Sequence, residues 1–167
     1  RYYYARHCFA RGHAQKAAGL YESAMRIRPD DFQSPLLAAQ IYDHLGWTAQ
    51  ADASRRRGIQ LAEEHLKVNP EDVRALSMAA NGLAASGDDA RGLTYLQRAL
   101  AICPEDPMLL YDAGCIYALL GQCDQALEYL DHAAQRGVTQ RGWYENDGNL
   151  AALHAHPRFQ QLLARLP

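Results

Sequence analysis

Four cysteines, a close histidine pair and a run of three arginines are the residues in this chain whose types could do chemistry. Cys8, Cys103, Cys115 and Cys123 include no C-x-x-C pair and no dense spacing, so they suit neither a zinc ribbon nor a disulfide framework. Cys8 and Cys115 fall within helical apolar patterns, where a reduced thiol packs as a small hydrophobe. His154 and His156 are two positions apart at a helix start, and side chains so spaced diverge by about 200°. They read as solvated or capping histidines, and no metal site is expected. Arg55, Arg56 and Arg57 would fan around a helix instead of facing one strand of phosphates. With Asp52, Glu63 and Glu64 on the same segment, they are expected to form a solvated face. There is no G-x-x-x-x-G-K-[ST] phosphate loop, H-E-x-x-H helix, G-x-S-x-G elbow or dinucleotide fingerprint. The expectation is a chain that is not an enzyme and carries no cofactor.

Composition narrows the partners. The 167 residues are 49% hydrophobic and 22% charged, enough for a core and without a disorder signature. Seventeen basic against 19 acidic side chains give a net charge of -2, which favours neither nucleic acid nor an anionic membrane. No apolar run approaches the roughly 20 residues of a membrane span, and the opening residues are not expected to act as a charged-then-apolar leader. A cytoplasmic location is expected.

The elements that must position any site are set by a repeat. Leu76, Ala79, Ala80, Leu83, Gly87, Gly92, Leu96, Ala99 and Pro104 recur, each 34 residues later, as Leu110, Ala113, Gly114, Tyr117, Gly121, Ala126, Leu130, Ala133 and Val138. Leu110-x-x-Ala113-Gly114-x-x-Tyr117 followed by Ala126-x-x-x-Leu130 resembles the tetratricopeptide repeat, a helix-turn-helix unit of that period. The resemblance implies an all-α, right-handed α-solenoid ending in a C-terminal helical cap. The expected organisation is one domain over residues 1–167, with repeats at about 1–31, 32–72, 73–106 and 107–136 and a cap at 137–167.

Taken in order, the repeats close on Pro29-Asp30-Asp31, Pro70-Glu71-Asp72 and Pro104-Glu105-Asp106. Proline ends one helix and the aspartate after it can cap the next, while Pro107 suits a first helical position. Pro29 and Pro70 are 41 apart, so the second repeat carries seven extra residues. Seven residues are nearly two full turns, so the insertion rotates the buried face by only about 20°. A helix lengthened by roughly 10 Å is expected, with a bend at Gly58 as the alternative. The first repeat begins partway through its opening helix at Arg1, as expected for a piece of something longer. Beyond Gln135 the pattern dissolves, and Trp143 and Phe159 are expected to plug the last repeat.

Trp143-x-x-x-Asp147, Leu150-x-x-Leu153 and His156-Pro157-Arg158-Phe159-Gln160-x-Leu162-Leu163 resemble the closing segment of tetratricopeptide regions in bacterial multidomain signalling proteins. There such a region follows an adenylate cyclase, a serine/threonine kinase or a winged-helix regulator. Gly148 departs from the acidic or proline residue usual after the aspartate. In tetratricopeptide repeats the first helix of each pair lines the concave surface. By repeat position the inward residues are Tyr2, Arg6, Gln33, Leu36, Gln40, Arg74, Ser77, Asn81, Met108, Tyr111 and Cys115. Aromatics, amides and arginines together suit a protein or peptide partner. Chaperone-binding members of the family grip a terminal carboxylate with lysines and asparagines. Of the matching positions here only Asn81 fits, so that activity is not expected. The alternatives are a homodimer formed through Tyr3, Tyr4 and Phe9, or a non-catalytic part of an enzyme such as an adenylate cyclase.

Overall fold

The computed structural model describes Cys8 and residues 12–167. Tyr2 and Arg6 of the expected groove, and the Tyr3, Tyr4 and Phe9 pairing surface, lie outside the described residues. The described residues contain α1 (Ala14–Ile27), α2 (Gln33–His44), α3 (Thr48–Val68), α4 (Val73–Ala85), α5 (Asp89–Ile102), α6 (Pro107–Leu119), α7 (Cys123–Gln135) and α8 (Arg141–Asn146). A 3-10 helix (Gly148–Leu153) and α9 (Pro157–Arg165) follow. The architecture is all-helical, with successive helices packed on one another in chain order.

Local chemistry sets the helix ends. Asp72 accepts a hydrogen bond from the Ala75 N–H at 3.0 Å and Asp106 from the Leu109 N–H at 2.8 Å, satisfying amides that a helix start leaves without partners. Asp31 does the same at α2, taking the Ser34 N–H at 3.2 Å and the Ser34 hydroxyl at 2.7 Å. At α9 the cap is His156, whose Nδ1 accepts from the Arg158 N–H, with Pro157 in the first helical turn. At the other ends, Gly87 adopts φ +80, a left-handed conformation open to glycine without strain, and Gly46 and Gly121 repeat it. Only three residues separate α2 from α3, α4 from α5 and α6 from α7, so each pair must fold back as an antiparallel hairpin.

The Asp72 cap has a pH consequence. Burial raises its carboxyl pKa, but the Ala75 N–H and His65, whose Nε2 lies 2.7 Å away, outweigh burial and hold it below its ordinary value. A depressed folded value means stability that is present above the unfolded value of about 3.9 and is lost as pH falls through the folded one. Asp72→Ala is expected to cost about 1 kcal/mol at neutral pH. Denaturant titrations of parent and variant should converge as pH drops below about 4.

Among the described residues the core forms three successive layers. Tyr21, Ala38, Ile41, Tyr42 and Ala51 fill the first, and Leu36, Leu66, Leu76, Leu96, Leu109 and Ile116 the second. Leu110, Leu127, Leu130, Tyr144, Leu153 and Phe159 fill the third. Leu37 packs against the first and second, and Tyr117 and Tyr129 against the second and third, so the layers join end to end. Helices approach closely where alanine stands: Ala79, Ala80, Ala99, Ala113, Ala126 and Ala133 are each fully buried.

In the second hairpin, α3 has 21 residues where α5 has 14, a difference of about 10 Å in length. It runs through Gly58 as one continuous helix. A Cβ at Gly58 would sit 2.5 Å from Leu36 Cγ and 3.0 Å from the Leu36 backbone nitrogen. The glycine is therefore the point of contact between α2 and α3. The buried residues of α3 are Ala51, Arg55, Gly58, Leu61, Ala62 and Leu66, a stripe that steps mostly by three or four residues. That spacing corrects the expectation of a solvated arginine face: Arg56 and Arg57 are exposed, but Arg55 is buried, its guanidinium held by Asp43 and Asp52.

The end cap also differs in detail. Tyr144 and Phe159 are fully buried, joined by Leu150, Leu153, Leu162 and Leu163, while Trp143 is only half-buried. The Tyr144 hydroxyl donates to the Val138 carbonyl at 2.7 Å, which lets a phenol fill the apolar plug without losing a hydrogen bond. Trp143, expected as a plug, turns toward the face formed by α2, α4 and α6.

Candidate binding cleft

That face holds a cleft of about 880 Å³ lined by α2, α4, α6, the start of α3 and the end cap. Leu36, Gln40, Arg74, Ser77, Asn81, Met108, Tyr111 and Cys115 line it. Gln33 does not. It lies half-buried at the start of α2, where its N–H bonds to Asp31. Repeat position brings these side chains together because each stands on the first helix of its hairpin, and those helices are neighbours.

Within the cleft the side chains differ in what they can offer. Leu36, Ser77, Tyr111 and Cys115 are buried in its floor, whereas Gln40, Arg74, Asn81 and Met108 are half-exposed. Gln40 Nε2 donates to Asn81 Oδ1 at 3.1 Å, linking α2 to α4. Ser77 Oγ donates to Asp112 Oδ2 at 2.6 Å, and Arg74 lies 3.8 Å from the same oxygen, linking α4 to α6. The Tyr111 hydroxyl and the Cys115 thiol both donate to Asp147 Oδ2, at 3.1 and 3.7 Å. Asp147 Oδ1 accepts from the Asn149 N–H at 2.9 Å and so caps the 3-10 helix.

These contacts fix protonation. Burial, and then the nearby Asp147 carboxylate, push the Cys115 thiol well above its ordinary value. Tyr111 is raised for the same first reason, with Cys115 and Asp147 adding to it. Both groups stay protonated as hydrogen-bond donors, the reverse of what an activated nucleophile requires. At the far hairpin, burial and Glu22 push Tyr42 up to about 12 while its hydroxyl donates to Glu22 at 3.1 Å. Among the described residues no group of three or more His, Cys, Asp or Glu is placed to hold a metal. No described helix is long and apolar enough to cross a membrane.

Several cleft residues escape reading by repeat position. Asp43, Asp52, Arg55, Asp112, Trp143 and Asp147 all line it. Asp112 stands 35 residues after Ser77, one repeat plus one position, on the side of α6 that looks back at α4. Trp143 and Asp147 are the two named ends of the Trp143-x-x-x-Asp147 tail motif. Their spacing puts the indole in an edge-type contact with Tyr111, ring centroids 6.1 Å apart, and the carboxylate on the Tyr111 hydroxyl.

No protein-family model matches the chain. It is 28% identical over 131 residues, 73% of its length, to the human "Tetratricopeptide repeat protein 7A". It is 26% identical over 144 residues, 80% of its length, to the mouse and human "Tetratricopeptide repeat protein 7B". The chain spans only 15% to 17% of the length of those relatives. Among solved structures, "Crystal structure of MamA" aligns with a TM-score of 0.49 at 17% identity, covering 96% of this chain and 92% of the other. In sequence and in the period of its helical hairpins, the chain is similar to tetratricopeptide repeat proteins.

Proposed function

We propose that this chain is a protein-interaction module that holds a peptide or a partner domain in the cleft between α2, α4, α6 and the end cap. The observation that carries the reading is the cleft itself: about 880 Å³, floored by buried side chains and edged by half-exposed Gln40, Arg74, Asn81 and Met108. A fixed apolar floor with a few placed polar groups lets a ligand lose water while its orientation is set by hydrogen bonds. Similarity to a short stretch of much longer proteins supports a regulatory or scaffolding part of a larger chain, with partner choice made in the cleft. The resemblance of the tail to signalling proteins supports the same role.

Substituting Arg74, Asn81 and Met108 together by alanine is expected to weaken a captured partner by at least about 2 kcal/mol, roughly 30-fold, with helicity unchanged. Tyr111 is left out because it is buried and bonded to Asp147, so its loss would report on folding. Calorimetric titration of parent and variant with the partner makes the comparison. Unchanged binding by the variant, together with loss on replacing Arg56 and Arg57, would move the contact to the outer face of α3.

A further inference from the structure

The polar side chains of the cleft fall into two kinds. Ser77, Tyr111 and Cys115 stand in its floor, and each directs its proton at a carboxylate of the fold, Asp112 or Asp147. Their donors tie helices together and are not offered to a ligand. Gln40 and Asn81 differ. Both line the cleft and both are half-exposed, and their side-chain amides are joined by a hydrogen bond of 3.1 Å. That bond uses one Gln40 amide proton and one lone pair of Asn81 Oδ1, so Gln40 Oε1 is left as an acceptor and Asn81 Nδ2 as a donor. Exchanging the orientations of both amides exchanges these ends without changing the set. One carboxamide still ends in an acceptor and the other in a donor.

That pairing selects the chemistry of an occupant. A carboxylate only accepts and an ammonium or guanidinium only donates, so either would leave one end of the pair without a partner as water is excluded. An amide does both. Beside the pair, Leu37, Met78 and Met108 line the cleft with the buried Leu36. A chain laid over that apolar floor carries its main-chain N–H and C=O groups out of water, and each then needs a partner. In an extended segment the N–H and C=O of one residue point to the same edge.

We infer that the Gln40–Asn81 pair reads the main chain of an extended peptide segment, an inference that rests on the reading of the cleft as the binding surface. The N–H of one residue donates to Gln40 Oε1 and the C=O of that residue accepts from Asn81 Nδ2. Side chains alternate between the two faces of such a segment, so every second one enters the apolar floor and the others face solvent. Adjacent helix axes are about 8–10 Å apart, so α2 to α6 spans about 16–20 Å, or five to six residues of extended chain. The cleft is then selective for an extended conformation with apolar side chains at alternate positions, and tolerant of the residues between them.

The test uses the whole chain and fluorescent peptides of about eight residues that alternate leucine with serine. Two further peptides carry ester oxygen in place of every second main-chain N–H, one in each register, which removes donors and keeps the extended shape. Anisotropy titrations should show saturable binding of the all-amide peptide, with at least one ester register weaker by about fivefold, the effect of one hydrogen bond. In Gln40→Leu combined with Asn81→Leu the all-amide and ester peptides should bind within about twofold of each other, a loss of discrimination that a purely structural role of the two amides does not produce. Where the double variant melts below the parent, Asn81→Asp, which still accepts from Gln40 but has no donor, should weaken the all-amide peptide about threefold. Ester peptides that bind the parent chain as tightly as the all-amide one, with binding lost on Met108→Ala, would overturn the main-chain assignment and leave the cleft standing. So would tight binding of an ester peptide with glutamine in place of serine, which would make a side-chain amide the ligand. No saturable binding by any of these peptides would also overturn the inference, while the Arg74, Asn81 and Met108 variant still tests the cleft with a captured partner. Binding that ignores both Gln40→Leu with Asn81→Leu and Met108→Ala would overturn the cleft as well.

Discussion

Removal of residues 143–167 is expected to leave a chain that scatters light and melts at least about 10 °C below the parent. The segment takes with it Tyr144, Leu150, Leu153, Phe159 and Leu162, all essentially without solvent exposure, together with Leu163 and Leu166. Each large apolar side chain so buried contributes about 1.5–3 kcal/mol relative to exposure, before the entropy of ordering the segment is set against it. What remains would present Leu110, Leu127 and Leu130 to water, a contiguous apolar surface on the last hairpin. A net loss of several kcal/mol in a chain of this size lowers the midpoint by about 2–4 °C per kcal/mol. Multi-angle light scattering and thermal melts decide the matter. A monodisperse truncation with the parent's melting temperature would show the tail to be an appendage.

Leu96→Ala should cost about 2–5 kcal/mol. Leu96 has no solvent exposure and packs in the middle layer, where α4, α5 and α6 meet. Its layer includes Ala79, Ala80, Ala99 and Ala113, which have no rotamer freedom to refill the space, so the cavity term adds to the lost transfer energy. Urea unfolding would show the loss as a lower midpoint at constant slope. A cost below about 0.5 kcal/mol, the size of a surface substitution, would mean that this layer does not hold the hairpins together.

The parts legible in the sequence are those set by local rules repeated at a fixed period. Asp72 and Asp106 cap because a carboxylate just before a helix meets free N–H groups whatever surrounds it. Gly87 turns because its φ is positive, and Leu96 is buried because its stripe is. What stayed hidden depends on contacts between hairpins. Gly58 reads as a weak point in a helix until Leu36 is placed against it. Arg55 reads as one of three solvated arginines until Asp43, from another helix, is placed beside it. Tyr144 and Trp143 are adjacent aromatics, and only the position of Val138 and Tyr111 decides which is the plug and which faces the cleft. The meeting of Asp112 and Asp147 in one cleft is hidden for the same reason, since they come from different units and converge only after stacking.

The most direct measurement of the central claim uses the three methionines, Met25, Met78 and Met108. Met78 and Met108 line the cleft, whereas Met25 lies by a separate small hollow with Arg28, Pro35 and Leu61. With methyl-labelled methionine the chain gives three assignable NMR signals, and these can be followed as a captured partner is added. Occupation of the cleft should shift Met78 and Met108 along one saturable curve and leave Met25 in place. Binding that moves Met25 alone, or that saturates with Met78 and Met108 unmoved, would contradict the assignment of the cleft as the interaction surface.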